Sequence, residues 1–112
     1  HNAKTINKCN NLVILIQING KCGYDKDGSF TTSKGTGWEM FDAGIAAQTF
    51  CLAAHEKGIG SCIMGVFDDT KVAEVVGLQE GQTVAAIITI GYPKFNPDPT
   101  PRKDVAELVS YI

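Results

Sequence analysis

The chain has 112 residues with ten Lys and Arg against twelve Asp and Glu, a formal net charge of -2. That length makes one domain over residues 1–112, and a chain of this size buries about 65% of its unfolded surface. The near-neutral, slightly acidic balance supplies no basic face for nucleic acid or an anionic membrane, and no apolar run reaches membrane-spanning length. Nothing resembles a leader peptide, so the expected location is cytoplasmic.

Residues 1–9 are polar and carry no strong period. Residues 12–18 (LVILIQI) are apolar with almost no alternation, the pattern of a strand buried on both faces, and Asn19 and Gly20 end it with turn chemistry. Residues 20–37 form a glycine-rich loop in which Tyr24 and Phe30 either pin the loop or close over a ligand.

Residues 38–57 then read as one long helix, opened by Trp38 and closed by Lys57, with Gly58 in the C′ position. At 100° per residue, Trp38, Phe41, Ile45 and Leu52 fall on one face. Met40, Ala43, Ala47, Phe50, Cys51 and Ala54 fall on the opposite face, and Glu39, Asp42, Ala46 and Ala53 lie between them. Two apolar faces on one helix are what an element shared between a core and a subunit interface needs.

Gly58 and Gly60 make a tight turn into an extended segment over residues 61–66. Asp68 or Asp69 caps a second helix that runs to Val76 and stops at Gly77. Residues 83–90 (TVAAIITI) form a second fully apolar strand. The prolines of residues 94–101 (KFNPDPTP) impose an extended connector, and residues 104–112 read as a short helix with Val105, Leu108 and Val109 on one side.

No hydrolase or metal signature stands out. There is no GxSxG elbow for Ser61, His55 sits at the polar end of the long helix, and His1 is terminal. The cysteines at 9, 22, 51 and 62 make no CxxC pair and have no histidine at metal spacing, so they read as reduced structural thiols with no metal. Gly60 and Gly65 fit half of a P-loop, but Val66 and Phe67 stand where Lys and Ser or Thr are needed. Two features remain. Gly65, between Met64 and Val66, lets backbone approach a flat ligand closely, and Arg102 with Lys103 can grip a phosphate.

In this order the segments resemble the carboxy-terminal half of the nitroreductase-like flavoproteins. The family element D-x-G-x-A-x-Q-x-x-x-L-A-A-x-x-x-G-x-G is matched by Asp42, Gly44, Ala46, Gln48, Leu52, Ala53, Ala54, Gly58 and Gly60. The resemblance runs collinearly from residue 12 to residue 111. It implies an α+β fold with a mixed central sheet flanked by helices, and an FMN-dependent, NAD(P)H-using oxidoreductase that reduces nitroaromatic or quinone-like small molecules. It implies a homodimer built through the helix at 38–57, with FMN at the interface. Gly65 and Val66 match the segment whose backbone amides meet the flavin ring near N5. Ile63 and Met64 match residues lining one side of the ring, and Arg102 and Lys103 match the late basic pair on the FMN phosphate.

The family's amino-terminal RxSxRxF segment and its Pro-Ser and Asn-Gln-Pro-Trp segment have no counterpart here beyond a short echo at His1, Asn2 and Ala3. The chain is therefore expected to be a truncated or shortened form. A non-catalytic dimeric member, and a module for flavin or another flat ligand, are the alternatives.

Overall fold

The computed structural model describes residues 2–112; His1 lies outside the described residues. Three strands carry the fold: β1 (Asn11–Ile18), β2 (Gly60–Met64) and β3 (Gln82–Gly91), in the order β1-β3-β2. Both pairings are antiparallel, with Val13 opposite Ile88 on one side of β3 and Ile63 opposite Ile88 on the other. The mixed sheet that the resemblance implies is thus represented, among the described residues, by antiparallel pairs alone.

The central strand is the core. Val84, Ala86, Ile87, Ile88 and Thr89 are all buried, as expected of a fully apolar run flanked on both sides. The equally apolar β1 does not share that fate: Leu12, Ile16 and Ile18 are 45%, 40% and 60% exposed. Its expected burial on both faces is corrected by its position, because β1 is an edge strand covered only in part.

Among the described residues there are four helices: α1 (Ala3–Ile6) before β1, α2 (Gly37–Glu56) and α3 (Asp69–Val76) between the strands, and α4 (Val105–Leu108) after β3. None of them is long and apolar enough to cross a membrane. The short α1 falls in a stretch without readable period. α2 packs across all three strands, and α3 packs on β3.

α2 ends as its sequence predicts. Gly58 adopts φ +70° and donates to His55, while Ile59 donates to Ala54, the paired bonds of a Schellman cap. α3 starts at Asp68, whose side chain accepts from the Lys71 N–H at 3.1 Å.

The sheet-facing stripe of α2 comprises Glu39, Ala47 and Ala54, buried, with Ala43 and Cys51 half-buried. Glu39 was expected in the polar strip between two apolar faces. It is instead 7% exposed, because Gln17 and the Gly20 N–H both donate to its carboxylate. The face of Phe41, Ile45 and Leu52 is open to solvent, as is Met40.

The loop of residues 19–36 is pinned. Tyr24 and Phe30 pair as a β-bridge with ring centroids 5.0 Å apart, and the Trp38 Nε1–H donates to Thr32 Oγ1 at 2.6 Å. Gly23 sits so close under Trp38 that a Cβ there would lie 2.9 Å from the indole side chain.

Beyond β3 the chain leaves the core: every residue from Tyr92 to Ile112 is exposed. The helix expected over 104–112 is the single turn α4, which Glu107 closes by accepting from the Asp104 N–H. A helix this short does not propagate without a surface to dock on.

Candidate functional site

The segment expected to meet a ligand begins where sheet pairing stops. Met64 is the last residue of β2, opposite Ile87, and its side chain is 5% exposed. The extended segment expected over 61–66 is therefore shorter: the strand runs from Gly60 to Met64, and Gly65 and Val66 lead on unpaired, through a bend at Phe67, to the Asp68 cap. Leaving the ladder frees their backbone N–H groups. Among the described residues no turn, cap or side-chain bond takes them up.

Around this elbow Ile63 is 46% and Val66 70% exposed, so apolar surface flanks the free amides while Met64 anchors the strand end beneath. A Cβ added at Gly65 would project into open space with nothing within 4 Å. A flat, apolar ligand edged with hydrogen-bond acceptors fits this arrangement. The isoalloxazine ring of FMN has that chemistry, and the elbow supplies donors that do not titrate.

The basic pair lies on the exposed connector after β3. Arg102 Nη1 donates to the carbonyls of Thr100 and Pro101, at 3.3 and 3.2 Å, and to Thr100 Oγ1. Lys103 is exposed beside it. Among the described residues the hydrogen bonds of Arg102 are with its own connector, and none links Arg102 or Lys103 to Ile63, Met64, Gly65 or Val66, which follow one another along the end of β2.

One participant escaped sequence reasoning. Asn2 Nδ2 donates to the Val66 carbonyl at 2.8 Å across 64 positions of sequence. The Asn-containing echo at residues 1–3 was its only trace.

A concave site lies elsewhere, where β1 meets the start of α2. It is a cavity of about 230 Å³ whose lining includes Gln17, Lys21, Cys22, Glu39 and Asp42. The Cys22 thiol is held above its ordinary range, first by a hydrogen bond to Asp42, then by desolvation, then by the negative charges of Asp42 and Glu39. A thiol so placed is a poor nucleophile. All four cysteines are free, with Cys62 exposed and the others half-buried.

Comparison with known proteins agrees with the architecture. The sequence model of the Nitroreductase family matches residues 11–92, from the first residue of β1 to just past β3. A nitroreductase family protein from Streptococcus pneumoniae TIGR4 is similar at 29% identity and TM-score 0.67, over 72% of this chain and 41% of that one. A nitroreductase-like family protein from Bacillus cereus shares the fold at TM-score 0.70 and 19% identity, over 99% of this chain and 57% of its own. An oxidoreductase containing FMN superposes at TM-score 0.66 and 22% identity, over 88% of this chain and 52% of that one. The chain thus spans well under two thirds of the length of these similar structures. The family match covers all three strands, α2, α3 and the elbow at Gly65, and the chain belongs to the nitroreductase family.

Proposed function

We propose that this chain forms part of an FMN-dependent NAD(P)H oxidoreductase acting on nitroaromatic or quinone-like small molecules. The observation that carries the reading is the elbow after β2: two free backbone N–H groups beside a glycine whose Cβ direction is open, inside the region that the family match covers. Bound FMN would supply the redox chemistry, the transfer of reducing equivalents between a nicotinamide and the acceptor.

The chain's own residues bind and orient. Gly65 and Val66 present backbone donors to ring acceptors, Ile63 and Val66 offer apolar surface against the ring, and Met64 holds the elbow to the sheet. Arg102 and Lys103 are assigned the phosphate. Both stand on the exposed connector after β3, where they can meet that phosphate from this chain or from a second copy. A homodimer through α2 fits the open apolar face of Phe41, Ile45 and Leu52.

The exposure of the whole tail that carries Arg102 and Lys103 also favours a second reading, a dimeric family member without a working flavin site. Flavin absorbance of the purified protein and titration with FMN decide between them. Yellow protein, or saturable FMN uptake with NAD(P)H oxidation that follows it, is the expected result. A colourless protein that takes up no added FMN overturns the flavin reading.

A further inference from the structure

We infer that Asn2 is a positioning residue: its side-chain amide, donated to the Val66 carbonyl, fixes the elbow that presents the Gly65 and Val66 amides. The effect on the cofactor rests on the FMN reading above; the effect on the elbow does not.

Asn2 occupies the N-cap of α1, where asparagine ordinarily accepts a hydrogen bond from its own helix. Here the side chain makes no capping bond. The Asn2 carbonyl accepts from the N–H groups of Thr5 and Ile6, both at 3.0 Å, as an N-cap carbonyl does. The side-chain Nδ2, a donor that capping does not use, donates across to the Val66 carbonyl at 2.8 Å.

The other end of this bond has no alternative support. Among the described residues, the Asn2 contact is the only hydrogen bond made by residues 65–67, between the last paired residue of β2 and the Asp68 cap of α3. A segment with both N–H groups unbonded and one carbonyl held pivots on that carbonyl. The Val66 carbonyl lies in the peptide plane next to the one that carries the Val66 N–H, and at the other end Met64 is paired to Ile87. Holding the segment at both ends limits the φ and ψ freedom of Gly65 and Val66 and so the swing of their N–H groups.

The test uses Asn2→Asp and Asn2→Ala in the full chain. Aspartate is isosteric and an equally good N-cap, so α1 is kept, but it cannot donate. Alanine removes the donor without adding charge. In flavin-free protein, backbone ¹⁵N order parameters at residues 65–67 are expected to fall from about 0.85 to below about 0.6 in both variants, with Ile87 and Ile88 unchanged. FMN affinity measured by fluorescence is expected to fall roughly fivefold to tenfold, the effect of losing one neutral hydrogen bond. Asn2→Gln, which restores a donor, recovers part of both signals. Order parameters at 65–67 that stay at the wild-type values in both variants overturn the proposal. If wild-type protein binds no FMN, the flavin reading fails and the order parameters alone decide the positioning role.

Discussion

The Gly20 backbone N–H donates to Glu39 Oε1 at 2.6 Å, while Gln17 Nε2 donates to Oε2 of the same carboxylate at 3.2 Å. One buried side chain at the start of α2 thus ties down both the end of β1 and the start of the loop. Glu39→Gln keeps the shape but places a donor amide where two donors converge. The expected loss is about 1–3 kcal/mol, the range for hydrogen bonds to a charged group and for a buried donor left unmatched. It would be read as a lower urea midpoint at unchanged slope. An unaltered midpoint would show that the carboxylate is not an anchor.

Which parts of this fold are legible in sequence follows from the range of the forces involved. The cap at Gly58, the cap at Asp68 and the apolar run of β3 are local signals, and each lies where its pattern places it. Two features depend on distant partners and are not legible. LVILIQI and TVAAIITI read alike, and only the pairing of β3 with both neighbours makes one central and the other an edge. Glu39 reads as a solvent-facing charge until Gln17 and Gly20 are brought to it. For the candidate site, Gly65 is marked by its missing side chain, but its departure from the sheet and the Asn2 bond to its neighbour Val66 are tertiary facts. The relation of Arg102 to the elbow depends on where an exposed tail docks, which no local pattern encodes.

Gly65→Ala separates binding from folding at the elbow. Gly65 is not in the positive-φ region and a Cβ there meets nothing, so the substitution is expected to leave stability unchanged or raise it by up to about 1 kcal/mol. The methyl would occupy the space assigned to the flavin edge, and FMN affinity is expected to fall at least tenfold, about 1.4 kcal/mol. A stable variant with undiminished FMN binding would remove Gly65 from the site.

At the basic pair, Arg102→Ala is expected to weaken FMN more than Lys103→Ala. Only the guanidinium offers a planar fork to a phosphate, and the contacts with Thr100 and the 100 and 101 carbonyls pre-order it. A charge-assisted bond contributes on the order of 1.5–3 kcal/mol, so the loss for Arg102→Ala is roughly ten- to hundredfold in Kd. Equal losses for the two variants would argue against the fork.

The Cys22 thiol carries a pH signature. The Asp42 hydrogen bond, desolvation and the nearby carboxylate charges raise its pKa above the ordinary 9.0, so the folded state holds this proton more tightly than the unfolded chain. The associated stability is present below about pH 9 and is lost as pH rises through the higher folded value. Alkylation of Cys22 by iodoacetamide at about pH 8–9, followed by peptide mapping, is expected to be slower than for a free thiol. Asp42→Asn, which removes the largest cause and a charge, should accelerate it. A rate that Asp42→Asn does not change would place the cause elsewhere.

The accessible surface of the chain is 9093 Å², against about 6,000 Å² for a compact monomer of this mass. Its radius of gyration is 17.1 Å, against about 13 Å for a compact chain of this length. Much of the excess is apolar: Phe41, Ile45 and Leu52 on α2 are 58%, 52% and 60% exposed, and Phe95, Val105 and Leu108 on the tail are 75%, 72% and 67% exposed. An excess of about 3,000 Å² per chain, about 6,000 Å² for a pair, is at the upper end of what obligate partners bury. Sedimentation at micromolar concentration is expected to give a dimer, with Ile45→Asp shifting it to monomer. Ile45 is already exposed in the single chain, so the variant costs the protomer little and its helical circular dichroism should persist when the dimer is lost. A wild-type chain that sediments as a monomer would mean that this face is covered by something other than a second copy.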